Sequence, residues 1–155
     1  MRAKGTRWLA ACVLAAYGVL LIRFVVFKAI PVIRIGHMRF RFGGTRTGPG
    51  NFVPFKTIAP LIIGQGNRLI EMVNLFGNII PFMPIGLLAP LVVRSFSWQK
   101  ALVLGVVTGL TFEVMELVFR VGIFDVDDIL LNALGVTAGY GLYVMFRRRA
   151  QLRPA

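Results

Sequence analysis

The sequence predicts an all-α integral membrane protein, a bundle of about four transmembrane helices in one domain over residues 1–155. Hydrophobic residues make up 57% of the chain and charged residues only 15%, against about 25% charged residues in soluble domains. A soluble chain of this length would lack the polar surface to cover itself, so the composition excludes a soluble enzyme and a disordered chain. Four apolar stretches also approach or exceed the roughly 20 residues that a helix needs to cross a bilayer. They are residues 8–27, 69–93, 101–121 and 129–146.

The first span follows a basic N-terminus and contains one charged residue, Arg23. A charge at the bilayer centre costs about 2.5–3.5 kcal/mol on insertion scales. Arg23 is therefore expected either to pair with Glu113 or Glu116 of the third span, or to extend along its stem to the headgroups. A cleaved signal peptide and a lipoprotein box at residues 9–12 are the other interpretations of this segment. We expect a retained anchor because no small-x-small cleavage site precedes a polar region.

A basic connector, residues 28–68, separates the first two spans. Its centre, residues 43–50, is a glycine-rich loop without the Gly-Lys-Ser/Thr of a phosphate-binding loop. Residues 52–66 are apolar but too short and too interrupted by proline to cross a membrane. We expect them to lie in the interface or to re-enter the bilayer partway. His37, the only histidine, lies among arginines and is expected at headgroup level.

The third and fourth spans predict an antiparallel hairpin. Glycines recur at a spacing of four residues on both, Gly105 and Gly109 on the third and Gly135 and Gly139 on the fourth. Small residues at this spacing let two helix backbones approach closely in lipid. We therefore expect the two glycine pairs to face each other across the hairpin.

Four spans place both termini on one side of the membrane. Lysine and arginine near the helix ends are almost evenly divided between the two sides, so their number alone does not decide the orientation. The run Arg147-Arg148-Arg149 directly follows the last span. Because positive residues favour the cytoplasmic side, the sequence predicts a multi-pass plasma-membrane protein with both termini in the cytoplasm.

This threading gathers the polar residues of the last three spans at the outer membrane face. Spacings of three or four residues place side chains on a common helix face. The predicted cluster consists of Glu71, Asn74, Asn78, Glu113, Glu116, Asp125, Asp127, Asp128 and Asn132, with Arg23 if it pairs. Intramembrane acids are functional candidates by default. The alternative is that the cluster only holds the helices together, and that Asp127 or Asp128 caps the fourth helix.

Three segments resemble the VanZ-like membrane proteins. They are residues 51–58 (NFVPFKTI), 78–90 (NIIPFMPIGLLAP) and 124–135 (FDVDDILLNALG), and the likeness extends over about residues 51–143. Asn51, which begins the first segment, is placed with the predicted cluster. The family's Glu-x-x-Gln before the turn corresponds to Glu113 and Glu116, so a glutamate replaces the usual glutamine. The resemblance implies a bacterial envelope protein, and the family's naming member is associated with low-level resistance to the glycopeptide teicoplanin.

The favoured function is a non-catalytic protein that acts at the outer leaflet on a lipid-linked envelope precursor or an amphiphilic, glycopeptide-type compound. The acidic–amide cluster would bind a polar or cationic group. Basic residues of the connector would attract phosphate headgroups, either of such a ligand or of ordinary anionic lipid. These residues are Arg34, Arg39, Arg41 and Arg46.

Two alternatives stay open. A membrane-embedded enzyme on a lipid-linked substrate would use Glu113 or Glu116 as base and Asp127 or Asp128 as acid or metal ligand. A small proton-coupled carrier would need to dimerise to enclose a path. No catalytic residue, metal or cofactor is assigned, and homo-oligomerisation is left open. The net charge of +12 is attributed to flanks that meet lipid headgroups, so membrane lipids and not nucleic acid are the expected partners.

Overall fold

The computed structural model describes residues 2–26, 32–35, 38–41, 48–64 and 68–151. Within these ranges the chain forms six α-helices and one antiparallel β-hairpin. The elements are α1 (Arg2–Leu21) with a π-helical turn (Ile22–Val26), β1 (Val32–Ile35), β2 (Met38–Arg41), α2 (Ala59–Ile63), α3 (Arg68–Ile79), a 3₁₀ turn (Ile80–Phe82), α4 (Met83–Val92), α5 (Trp98–Val118) and α6 (Val126–Gln151).

Among the described residues, four helical stretches are long and apolar enough to cross a membrane, and they confirm the predicted all-α membrane bundle. They are Lys4–Val26, Met72–Val92, Trp98–Val118 and Val126–Gln151. The last two spans begin about one turn before the predicted positions, because Ser97 caps α5 by accepting from Lys100 N and Asp125 occupies the same position before α6. A side-chain oxygen at this position satisfies a backbone N–H that the first turn leaves free.

The second span is interrupted where two prolines follow each other closely. Proline has no N–H and its ring clashes with the preceding turn, so α3 ends at Ile79 and α4 starts after a 3₁₀ turn that contains Pro81. The Tyr17 hydroxyl of α1 donates to the Pro81 carbonyl at 2.7 Å. Phe82 is completely buried at this break and meets the Phe112 ring of α5 edge-on at 5.2 Å. The break is thus filled by side chains of two other helices.

Helix α6 lies between α5 and the second span, and all four predicted packing glycines lie at its contacts. On the α5 side, a Cβ added at Gly105 would lie 2.6 Å from the Cα of Ala133, and one at Gly109 would lie 3.0 Å from the Cα of Ile129. On the other side, a Cβ at Gly135 would overlap the carbonyl oxygen of Ile79. A Cβ at Gly139 would likewise overlap the carbonyl oxygen of Met83.

The expectation that the two glycine pairs face each other was wrong. The glycines of α5 pack against α6 at Ala133 and Ile129, whereas the glycines of α6 pack against the second span. The reason is the helical period: Ala133 and Gly135 are two residues apart, which is about 200° around the helix. Close approach in this bundle therefore involves both sides of α6.

The connector contains a β-hairpin that the sequence analysis did not predict, with Val32 opposite Arg41 and Ile35 opposite Met38. Within the stretch expected not to span, α2 has five residues, about 8 Å of helix, and it is too short to cross. His37 and Arg46 lie outside the described residues. So do the side chains of Arg34, Arg39 and Arg41, although their backbones belong to the strands.

Candidate functional site

Residues 48–58, called here the covering segment, lie across the turn between α5 and α6. The Asn51 N–H donates to the Phe124 carbonyl at 2.7 Å, and the Val126 N–H donates to the Asn51 carbonyl at 3.0 Å. The Phe52 and Phe124 rings stack at 5.1 Å. These contacts join parts of the chain more than 70 residues apart at the end of the bundle where the acidic residues are gathered.

Asp127 anchors the covering segment. Its side chain is completely buried. Its Oδ1 accepts from Phe55 N at 2.5 Å, and its Oδ2 accepts from Thr57 N at 2.7 Å and Ile58 N at 3.3 Å. Phe55 has a φ of 67°, an uncommon conformation for a bulky residue, and the carboxylate stabilises the turn that contains it. Both carboxylate oxygens of Asp127 are therefore occupied by backbone N–H groups.

Asp125 caps α6, where the sequence analysis had placed Asp127 or Asp128. Its Oδ1 accepts from the Asp127 N–H at 2.9 Å and from Asn51 Nδ2 at 2.8 Å. Its Oδ2 accepts from the Thr57 hydroxyl at 2.6 Å. Asn51 Nδ2 also donates to that hydroxyl oxygen at 3.1 Å. Asp125 precedes the first turn of α6, which explains why it, and not the two aspartates within that turn, makes the cap.

Glu113 of α5 and Asn132 of α6 are both buried, with exposed fractions of 4% and 3%, and together they are called here the buried polar pair. Glu113 Oε2 accepts from the Asp125 N–H at 2.8 Å. Its charged neighbours among the described residues are the carboxyl groups of Asp128, Glu116 and Asp125. Asn132 lies one turn from Asp128 on α6.

The Asn132 Oδ1 atom is buried and has no hydrogen-bond partner in the described part of the chain. A Cβ at Gly109 would lie 3.2 Å from the Asn132 Cβ, so Asn132 faces the side of α5 on which Glu113 follows one turn later. The missing side chain of Gly109 leaves room for the amide. The pair thus combines an unsatisfied acceptor with a buried carboxyl group.

The second span contributes Asn78 to the acidic–amide cluster. The Asn78 Nδ2 donates to Asp128 Oδ1. Glu116 is half-buried and packs against Gly122, where any Cβ would overlap its carboxylate. The structure does not bring Asn74 into the cluster, because its side chain is exposed. The side chain of Glu71 lies outside the described residues.

Arg23 has an exposed side chain in the π-helical turn that ends the first span. It is not among the charged neighbours of Glu113. Both expectations for Arg23, pairing with Glu113 or Glu116 and extension to the headgroups, stay predictions.

Thr57 is the site residue that the sequence analysis missed. Its backbone binds Asp127 and its hydroxyl binds Asp125. The sequence feature that could have indicated Thr57 is the asparagine and proline within residues 51–58, which are typical of a turn stabilised by side chains. Among the described residues, no group of three or more His, Cys, Asp or Glu side chains is arranged to hold a metal ion.

The four spans, the broken second span and the covered acidic–amide cluster define a multi-pass membrane protein with a polar centre at one end of its bundle. The chain belongs to the VanZ/LLP1 family, whose model matches residues 14–147. This confirms the resemblance to VanZ-like proteins.

Protein VanZ of Enterococcus faecium is 32% identical to this chain over 73 residues, which is 47% of this chain and 44% of that protein. The chain therefore aligns with less than half the length of this curated relative. No solved structure gives a significant match.

Proposed function

We propose that this chain is a non-catalytic protein of the bacterial plasma membrane that binds an amphiphilic ligand at the outer leaflet. The ligand would be a lipid-linked precursor of the cell envelope or a glycopeptide-type compound. The observation that supports this function most directly is the buried Asn132 Oδ1, an acceptor for which the described residues supply no donor, in an interface that also buries Glu113.

This pair favours a ligand with hydrogen-bond donors. A buried polar group without a partner costs about 1–3 kcal/mol, and a ligand N–H or O–H at Asn132 would recover that free energy. The carboxyl groups around Glu113 further favour an amide, a hydroxyl or an ammonium group. Peptide and sugar parts of envelope precursors and of glycopeptides carry these groups.

The covering segment suits an amphiphilic ligand. Its Phe52, Val53 and Phe55 side chains are all exposed, which is the expected arrangement where a segment faces the apolar–polar boundary of a bilayer. A lipid chain would contact these side chains while the polar end of the ligand reaches the cluster. Entry of that end would require the covering segment to move away from the α5–α6 turn.

The hydrogen bonds and the burial of Asp127 support binding better than catalysis. An acid or a metal ligand needs a carboxylate oxygen that can reach the substrate or the metal. Both oxygens of Asp127 hold the backbone of the covering segment, and the residue is completely buried. No specific observation favours the carrier.

The test is a binding measurement on the purified full-length chain in lipid nanodiscs. The probes are teicoplanin and a polyprenyl-diphosphate-linked disaccharide–peptide precursor. Asn132→Leu removes the unsatisfied acceptor at similar volume, and Asn74→Leu makes the same change at an exposed position of the second span. We expect the wild type and Asn74→Leu to bind at least one probe, and Asn132→Leu to bind it about tenfold more weakly.

Equal binding by Asn132→Leu and the wild type would contradict the proposed site, and failure of both probes to bind the wild type would contradict the ligand class. Conversion of the precursor by the wild type, followed by mass spectrometry, would overturn the non-catalytic assignment. Thermal unfolding of each variant shows whether a loss of binding comes from misfolding.

A further inference from the structure

A second site lies at the opposite end of the bundle, where a cavity of about 420 Å³ opens between α4, α6 and the turn before α5. Arginines from two distant parts of the chain line it: Arg94 follows α4, and Arg147 and Arg148 belong to the last turns of α6. From Asp128 to Arg147 the axis of α6 rises about 28 Å. This distance is close to the roughly 30 Å thickness of the hydrocarbon core, so the cavity lies near the other membrane surface.

The cavity is positive, because three arginines line it and none of its lining residues in the described part of the chain is acidic. Helix α5 begins at Trp98, two residues after the lining residue Phe96, and the N-terminus of a helix carries a partial positive charge. The Lys100 side chain donates to the Ser95 carbonyl at 2.8 Å, which adds a further cation to the same turn. The guanidinium groups that line the cavity would stabilise an anion here.

Apart from Ser95 and Gln151, the remaining lining residues are aromatic or apolar. The Tyr140 ring packs against Phe96 at 5.6 Å, and its hydroxyl donates to the Phe96 carbonyl at 3.4 Å. Tyr143 stacks on Tyr140 at 6.5 Å, and Val144 continues the wall along α6. This arrangement suits a ligand whose anionic head is attached to an apolar part.

We infer that this cavity binds the phosphate headgroup of an anionic membrane lipid, with Arg94, Arg147 and Arg148 as the phosphate ligands. The guanidinium group matches phosphate because its planar donors bind two oxygens at once. Ordinary basic flanks of a span attract anionic headgroups without a defined site. Here three arginines line one cavity together with aromatic and apolar side chains, which would give the phosphate one position and the start of the acyl chains another. The inference does not depend on the function proposed for the acidic–amide cluster.

The test uses native mass spectrometry of the full-length chain, released from detergent in the presence of phosphatidylglycerol and phosphatidylcholine with identical acyl chains. The variant combines Arg94→Gln, Arg147→Gln and Arg148→Gln. The matched control is Arg149→Gln, a neutralised arginine on the same turn of α6 that does not line the cavity. We expect the wild type to retain phosphatidylglycerol about tenfold over phosphatidylcholine. We expect the triple variant to lose this preference and the control to keep it.

Two further arms identify the ligand. Glycerol 3-phosphate and inorganic phosphate, added at the lipid concentration, should not displace phosphatidylglycerol, because they lack the part that contacts the apolar wall. Displacement by either would show that the ligand is a soluble phosphate and would overturn the lipid assignment. The single variant Arg94→Gln should weaken retention without changing the charge of α6. If Arg149→Gln and Arg94→Gln lost the preference for phosphatidylglycerol equally, the preference would come from general surface charge, and the proposed site would be overturned.

Discussion

At the scale of single residues, the cluster separates into groups that hold the fold and groups that retain unused hydrogen-bonding capacity. Asp127 and Asp125 have their oxygens occupied by the covering segment and by the first turn of α6. Asn132 keeps a buried acceptor that receives no donor from the part of the chain that the structure describes. The sequence placed all three in one cluster, but only their contacts distinguish an anchor and a cap from a candidate binding residue.

Asp127→Asn should release the covering segment. The variant replaces one acceptor oxygen by an NH₂ group that faces backbone donors, so bonds worth about 1.5–3 kcal/mol each when the acceptor is charged are weakened or lost. Lys56 is an exposed residue of the covering segment, so limited trypsin digestion should cleave after it at least several-fold faster in the variant. Cleavage after Arg94, exposed in the turn between α4 and α5, is the internal control. An unchanged ratio of the two cleavage rates would contradict the anchoring role.

At the scale of elements, two features hold the helices together. One is the Tyr17 hydroxyl, which donates a hydrogen bond at the proline break of the second span, and the other is the set of glycines at the contacts on both sides of α6. Each lets a helix approach a neighbour that is distant in sequence. Their partners were not evident from the sequence, although the prolines and the glycine spacing were.

Tyr17→Phe should lower the stability of the bundle by about 1 kcal/mol, the net contribution of a typical hydrogen bond. The reason is that the Pro81 carbonyl loses the donor that α1 supplies at the break. Thermal unfolding in detergent measures the change. Tyr143→Phe is the control, since no hydrogen bond of its hydroxyl is present among the described residues; equal shifts in both variants would refute the role of Tyr17.

Gly139→Ala should destabilise the protein by about 1–3 kcal/mol, the usual effect of overpacking, because its Cβ would overlap the Met83 carbonyl oxygen. Gly141→Ala is the matched control on the same helix, where a Cβ meets nothing within 4 Å. The control should be neutral or more stable by up to about 1 kcal/mol, since alanine is the better helix former. Unfolding of both variants in a denaturing detergent series gives the comparison, and equal stability would contradict the close contact of α6 with the second span.

At the scale of the whole molecule, the chain is polarised along the membrane normal. The described acidic side chains lie around the α5–α6 turn, and the arginines of the cavity lie at the other end of α6. An amphiphile that enters from one leaflet would meet carboxyl and amide groups, whereas a lipid of the opposite leaflet would meet guanidinium groups. The two proposed sites therefore differ in ligand charge as well as in position.

The orientation of this polarity can be tested with reporter fusions at Gly48 and at Pro154. The positive-inside rule and the arginine run after α6 lead us to expect cytoplasmic reporter activity at Pro154 and extracytoplasmic activity at Gly48. An alkaline phosphatase fusion and a fluorescent protein fusion at each position give complementary signals. Cytoplasmic signals at Gly48 would reverse the orientation and move the acidic–amide cluster to the inner leaflet.

The sequence by itself determined the membrane class, the four spans and most of the residues of the cluster, but it missed Thr57 and included Asn74, whose side chain is exposed. Composition and the length of apolar stretches act locally, since each span must satisfy its own backbone within lipid. The helical period also placed Glu113 near Asp128 and Asn132, because these residues lie close to one short turn.

Only the tertiary structure decided which residues are partners over long distances. Asp127 meets backbone groups of the covering segment about 70 residues away, Tyr17 meets Pro81, and Gly139 meets Met83. Several faces of one apolar helix can pack equally well as far as the sequence shows. Which face meets which neighbour depends on the position of every other helix. For that reason the glycine pairs were predicted at contacts but assigned to the wrong neighbour, and the capping aspartate was identified only when the turn was seen.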